Sequence, residues 1–298
     1  MDKHQQLLKI FDGMQYVIAK HVIDTLNRSN IKYAIVKGCP LAYYKTGRVD
    51  TRCSNDIDIL IARNDVSRLE IILKDNGFQS THEIARDERI LLLSGSHQLP
   101  PYIKKIGKLY SQIDVNFDLF WGEYAGERID VGSFLEKTNE LDVYGCQIKT
   151  LPLLETLIHL VLHHYKHLNS IYILTKGRAI RPLFFEDIVL LCQKYPDELS
   201  PAYVFEACSR YRICPYAFYM FYYAQEVYSN DFLSEYVNIL RSAEGEALLD
   251  YYGLSDRERK KWEIPFMDRI DKDVSSLIYR NLTKDDIEKI ERNQKLFS

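Results

Sequence analysis

The chain lacks an apolar run of the roughly 18–20 residues that would cross a bilayer. The longest candidate, around Leu151–Leu162, is interrupted by Glu155 and His159. Met1–Phe11 is polar and amphipathic and has no apolar signal-peptide core. The six cysteines (Cys39, Cys53, Cys146, Cys192, Cys208, Cys214) form no CxxC pair and read as reduced thiols. Together these absences argue against a membrane or disulfide-framed protein and lead us to expect a cytoplasmic one. A His-Glu-x-x-His motif is missing, so a zinc protease helix is not indicated. Internal repeats and low-complexity segments are also missing. With a net charge of −3 and a pI near 6.3, the chain has no global basic field. Extended non-specific nucleic-acid binding is therefore disfavoured, although a local basic groove or a tRNA acceptor stays open.

What remains is the composition of an ordinary globular protein. The 298 residues, 46% hydrophobic and 27% charged, suffice for a sizeable core and two domains. Leu7–Asn27 carries apolar residues at helical spacing, and Tyr33–Val36 reads as a short buried strand. Gly38 and Pro40 open a helix that covers Leu41–Lys45. After a polar loop, Ile57–Ala62 is a strand and Asp65–Asn76 a helix stopped by Asn76-Gly77. Phe78–His82, Arg89–Leu93 and Ser111–Phe120 read as further strands. This order predicts a mixed α/β domain over 1–145.

Helical periodicity dominates the rest, giving a helical domain over 146–298. Its helices are expected at Leu151–His167, Phe184–Lys194, Pro201–Arg210, Pro215–Tyr228 and Glu235–Tyr252. A further one starts at the capping-box-like Thr283-Lys284-Asp285-Asp286. Many of the 22 tyrosines fall between Tyr203 and Tyr252. They suggest aromatic packing, with a groove wall as the alternative.

The most informative segment is Ser54-Asn55-Asp56-Ile57-Asp58-Ile59-Leu60-Ile61, whose Asp56 lies eighteen residues after Gly38. Residues i and i+2 of a strand point the same way, so Asp56 and Asp58 project together. Two adjacent carboxylates repel unless a cation lies between them, and such oxygen-rich sites suit Mg²⁺. A two-metal phosphoryl-transfer site needs a third carboxylate from another element. Asp114, in Gln112-Ile113-Asp114-Val115-Asn116-Phe117-Asp118-Leu119, begins such a strand. Asp118 follows two pleats later on the same expected face.

Lys37-Gly38 closing a strand, Arg52 four residues before Asp56-x-Asp58, and the Ile113–Phe117 segment resemble the poorly characterised nucleotidyltransferase family of the DNA polymerase β-like superfamily. The likeness covers roughly Tyr33–Leu119 and extends more weakly to His159, His163, His167 and Asp187. Relatives usually carry His where Asn116 stands. The resemblance implies a polymerase β-like mixed sheet with flanking helices, followed by a mostly helical domain that closes the active-site cleft. It implies Asp56, Asp58 and Asp114 as catalytic ligands of two Mg²⁺ ions, with Mn²⁺ as an alternative, and NTP as co-substrate. A Gly-Ser pair touches the triphosphate in the wider superfamily; here the pair is Gly38-Cys39, which lacks that hydroxyl. Lys37, Arg48 and Arg52 would neutralise phosphate charge.

Asp114 and Asp118 are both left as candidate bases. His159, His163 and His167 share one helix face and are expected to line a cleft or pack rather than to bind Zn²⁺. Lys176, Arg178 and Arg181 form a small basic loop. The leading expectation is transfer of an NMP group from an NTP to an acceptor hydroxyl, with release of pyrophosphate. A small-molecule acceptor is favoured over tRNA or protein, and a catalytically inactive nucleotide-binding scaffold is the remaining alternative.

Overall fold

The structure, a computed structural model, describes residues 3–83, 85–177 and 180–297. It divides into two compact units, one comprising Met1–Gly122 with Arg128–Thr156, the other Glu123–Glu127 with Leu157–Ser298.

The first unit runs α1 (Lys3–Arg28), β1 (Tyr33–Val36), α2 (Gly38–Thr46), β2 (Ile57–Ile61), α3 (Val66–Asp75), β3 (Gln79–Ser80), α4 (Arg86–Gly95), β4 (Tyr102–Ile106), β5 (Leu109–Asn116), α5 (Val131–Phe134), β6 (Asn139–Val143) and β7 (Cys146–Thr150). These strands form one mixed sheet in the order β3-β4-β5-β2-β1-β7-β6. β2 pairs parallel with β5, and β1 parallel with β7; the other pairs are antiparallel. β1 and β2 are buried along their whole length, in keeping with sequences that are apolar except at Asp58.

Two sequence expectations are corrected in this unit. Arg89–Leu93 is helical, within α4. Leucine-rich sequence favours helix, the Glu88 side chain accepts from the Ala85 N–H at the helix start, and Arg89 reaches Glu70 on α3. The strand expected over Ser111–Phe120 ends at Asn116, because the Asp118 side chain turns the chain by accepting from the Phe120 N–H at 2.9 Å. The hairpin β6–β7 was not anticipated. Its turn residues Tyr144 and Gly145 both have positive φ (52° and 76°), the pattern that matches strand twist in a two-residue hairpin. The expected boundary between 145 and 146 falls inside this hairpin, whereas the compact unit continues to Thr156.

The second unit comprises α6 (Leu153–Asn169, from Leu157 onward), α7 (Ile171–Leu174), α8 (Leu183–Lys194), α9 (Pro201–Arg210), α10 (Cys214–Tyr228), α11 (Ser234–Leu240), α12 (Ala243–Leu249), the short pair β8 (Tyr251–Tyr252) and β9 (Lys260–Lys261), α13 (Ser275–Arg280) and α14 (Lys284–Phe297). α10 is its buried axis: Phe218, Tyr219, Met220 and Phe221 are almost wholly covered, and Phe221 stacks on Tyr236 with ring centroids 5.0 Å apart. The tyrosine-rich helix is therefore packing. The single helix expected over Glu235–Tyr252 is two, because the Ser242 hydroxyl accepts from the Gly245 N–H and caps a new start. Among the described residues no helix is long and apolar enough to cross a membrane.

Candidate active site

Three adjacent strands, β1, β2 and β5, bring the acidic residues together. In the parallel β2–β5 pair Asp58 lies in register with Asp114, and Ile57 with Ile113. Partners in register place their side chains on one face of the sheet, so these two carboxylates are neighbours. Asp56 stands just before β2, where its Oδ1 accepts from the Ser54 hydroxyl at 2.6 Å. On the other side of β2, Val36 pairs with Asp58, so the chain leaving β1 enters the site at Lys37.

The Lys37 ammonium lies 2.6 Å from Asp58 Oδ1, and the Asn116 amide donates to the same oxygen at 3.3 Å. Asn116 is thus a donor to the carboxylate site. Burial raises the Asp58 carboxyl above its usual range, Lys37 opposes the rise, and Asp56 adds to it. Burial also pushes Asp114 up to about 7, helped by the charges of Asp58 and Asp56; the Gln112 amide, 3.0 Å from its Oδ1, pulls the other way. The local physics is crowding of anions in a poorly solvated sheet end.

Lys37 and Gly38 form an unusual turn. Lys37 has φ 61° and ψ −146°, a conformation that non-glycine residues rarely adopt, and Gly38 follows with φ 37°. α2 begins at Gly38 without a side-chain cap, so its first N–H groups face outward from the turn. An anion approaching there meets free N–H donors and no Cβ at residue 38. Cys39 does not face that space. It is 1% exposed, and its thiol donates inward to Asp12 Oδ2 at 3.2 Å, which leaves only its backbone N–H for phosphate.

The flanking cations separate. Arg48 is engaged with Asp50 by two bonds of 3.0 and 2.9 Å, and Lys9 shares that carboxylate. Arg52 leaves the single turn Val49–Thr51 in extended backbone and is half-buried.

Asp118 lies outside the constellation. Arg63 and Arg128 both donate to its Oδ2, at 3.0 and 2.7 Å, and its Oδ1 takes the Phe120 N–H. With both oxygens occupied it ties down the chain after β5, and its expected placement on the Asp114 face is corrected.

His159, His163 and His167 form a ladder along α6 with ring centroids 5.8 and 4.4 Å apart. Asp187 is fully buried, with its Oδ2 3.8 Å from His164 Nε2. Lys176 lies over the Tyr172 ring, Arg181 is exposed, and Arg178 falls outside the described residues.

The donors at the sheet end are hard carboxylate oxygens, the kind that Mg²⁺ selects, and the repulsion that adds to the effect of burial on Asp58 and Asp114 is what a divalent cation would relieve. As the side chains stand, no group of three or more His, Cys, Asp or Glu among the described residues is gathered closely enough to hold a metal ion. Lys37 supplies the positive charge instead. The donor chemistry fits Mg²⁺, with Lys37 as the counter-charge that it would displace.

Sequence reasoning missed Asp12, Gln15 and Ser54. Asp12 and Gln15 are buried on α1, and Ser54 joins both to Asp56. The available signal was polarity out of place: Asp12 and Gln15 stand four residues after Leu8 and Phe11 on the stripe assigned to the core.

The mixed sheet, with Asp58 and Asp114 in register beside a glycine turn at a helix start, goes with membership of the nucleotidyltransferase class. Within that class, the chain belongs to the family described as uncharacterised nucleotidyltransferase, whose model matches residues 1–229. Similar solved structures include the antibiotic-resistance factor ANT(2'')-Ia in solution (16% identity, covering 67% of this chain and 95% of that one, TM-score 0.41). ANT(2'')-Ia in complex with adenylyl-2''-tobramycin is another (16%, 66% and 99%, TM-score 0.39). A third is an antigenic nucleotidyltransferase-like protein from Paracoccidioides brasiliensis (17%, 60% and 76%, TM-score 0.35). No curated protein sequence matches significantly. The family match, rather than these distant likenesses, carries the assignment.

Proposed function

We propose that this chain moves an NMP group from an NTP to the hydroxyl of a small acceptor and releases pyrophosphate, with Asp56, Asp58 and Asp114 as its catalytic carboxylates. The observation that carries this reading is the register of Asp58 with Asp114 in the parallel β2–β5 pair. When bound by these three residues, Mg²⁺ (two ions, or Mn²⁺ in their place) supplies neutralisation of the triphosphate and polarisation of the α-phosphate.

The chain's own residues have distinct parts. The Lys37-Gly38 turn and the first N–H groups of α2 receive the phosphates. Lys37, paired with Asp58 in the absence of nucleotide, exchanges that partner for phosphate oxygens, and Arg52 adds charge from the adjoining loop. Asp114, whose carboxyl titrates near neutrality, takes the acceptor's proton. The bond from the acceptor oxygen to the α-phosphorus forms as the bond from that phosphorus to the bridging oxygen of pyrophosphate breaks. An acidic chain lacks the field that draws in RNA, which favours a small acceptor.

The test is incubation with each of the four NTPs and Mg²⁺ or Mn²⁺, over a panel of small hydroxyl compounds, tRNA and proteins, with Asp56→Ala/Asp58→Ala beside wild type. Pyrophosphate release that needs metal and disappears in the double variant is the expected result. Labelling of tRNA or protein alone would move the acceptor to those classes. Failure of the folded wild type to bind any nucleotide at millimolar metal would leave a scaffold on a transferase fold.

A further inference from the structure

We infer that Asp12 and Gln15, one turn of α1, are positioning residues that fix the metal-binding Asp56 and the phosphate-facing turn in one geometry. The inference rests on the nucleotidyltransferase reading of the carboxylate site. It concerns residues outside the motif that identifies the family.

The connections converge on Ser54. Its backbone N–H donates to Asp12 Oδ1 at 3.2 Å, its carbonyl accepts from Gln15 Nε2 at 2.7 Å, and its hydroxyl donates to Asp56 Oδ1 at 2.6 Å. All three hydrogen-bonding groups of this residue are thus spoken for, two by α1 and one by Asp56. The other oxygen of Asp12 reaches the second turn: Oδ2 accepts from the Cys39 thiol at 3.2 Å. Cys39 directly follows the Gly38 that opens α2, so one carboxylate holds the α2 start and the approach to β2 together. Gly38 and Ser54 are also in direct reach, since a Cβ on Gly38 would lie 3.5 Å from the Ser54 Cβ.

Asp12 and Gln15 are 1% and 0% exposed. A buried carboxylate is costly unless its oxygens are bonded, and here Tyr144 from the β6–β7 hairpin donates to Oδ2 as well, at 3.1 Å. Burial drives the Asp12 carboxyl upward, and its three donors oppose the rise. Tyr144 and Cys39 share the same oxygen, yet only Cys39 and Ser54 lead to the catalytic turns. This difference separates a positioning role from simple core stability.

Outer residues that orient metal ligands typically change metal affinity or activity by about 10–100-fold when removed. For the full chain, Asp12→Ala and Gln15→Ala are expected to weaken Mn²⁺ binding by about 10-fold or more and to lower kcat more than they raise the KM for NTP. Asp12→Asn, which keeps one acceptor oxygen, should recover part of both. Tyr144→Phe removes a bond to the same carboxylate and should lower the melting temperature while leaving Mn²⁺ affinity and kcat near wild type. Amide exchange of residues 52–58, followed without metal or nucleotide, should accelerate in Asp12→Ala and not in Tyr144→Phe.

Equal losses of Mn²⁺ affinity in Asp12→Ala and Tyr144→Phe, or unchanged exchange at residues 52–58 in Asp12→Ala, would overturn the inference. Should the wild type bind neither Mn²⁺ nor NTP, the nucleotidyltransferase reading fails, and the exchange experiment alone decides whether α1 holds the Ser54–Asp56 turn.

Discussion

Asp114 shows how a buried carboxylate among other carboxylates costs stability. Its carboxyl, near 3.9 in an unfolded chain, is pushed up to about 7 in the fold by burial and by Asp58 and Asp56. Between about pH 4 and 7 the folded chain therefore binds more protons here than the unfolded chain does. The sign follows: stability is fullest below pH 4, falls as pH rises through that window, and stays low above 7. Asp114→Asn removes the titration. In EDTA it should match wild type at pH 4.5 and exceed it at pH 8 by an amount on the order of 1–3 kcal/mol. Urea unfolding at the two pH values measures this, and a pH-independent difference would remove Asp114 as the strained carboxylate. The neighbouring Asp58 is partly relieved by Lys37, and the strained backbone at Lys37 fits a residue placed for chemistry rather than comfort. At this scale the sequence was most legible. Asp-x-Asp entering an apolar run, with a third aspartate at the start of a second run, located three carboxylates, two of which the sheet sets in register. Asp118 misled because alternation alone cannot show that Arg63, 55 residues earlier, would be its partner.

At the scale of elements, the parts fixed by local chemistry were readable and those fixed by distant partners were not. β1 and β2 announced themselves by buried apolar runs, and α3 by its stripe and Asn76-Gly77 stop. α4 did not, because Ile90-Leu91-Leu92-Leu93 suits a buried strand as well as a helix until Arg89 finds Glu70. β4 and β7 were hidden for the same reason: their sequences are short and partly polar, and pairing with β5 and β1 creates them. The end of α4 also depends on a remote glycine. An added Cβ at Gly122 would fall 1.8 Å from the Gly95 carbonyl oxygen, a backbone atom that cannot swing aside. Gly122→Ala must therefore push α4 away from the chain after Trp121, whose carbonyl and that of Gly122 accept from Arg128. A loss of about 3 kcal/mol or more is expected, in the range of severe overpacking. Denaturant unfolding is the measurement; a loss below 1 kcal/mol would mean that the two backbones do not meet so closely.

For the molecule as a whole, the sequence announced a sheet-bearing part and a helical part from the change in periodicity, and the family match, which runs to residue 229, extends well into the second. The acceptor was not legible, because no motif in the helical unit names one and its aromatic helix is occupied with packing. What the whole chain should report is ligand binding through its own stability. A ligand that binds only the folded state adds about 2.7 kcal/mol when present at 100 times its Kd. The carboxylates lie in the sheet-bearing unit, and for a unit of that size such a gain raises the melting midpoint by at least about 5 °C. Mg²⁺ and NTP together should therefore produce a shift that neither gives alone, since nucleotide without metal meets the repulsion of Asp56, Asp58 and Asp114. Asp56→Ala/Asp58→Ala removes two of the three proposed metal ligands and should abolish the cooperative part of the shift while leaving the ligand-free midpoint at or above that of wild type. A shift of equal size in EDTA, or one retained in the double variant, would place the nucleotide on groups other than these carboxylates.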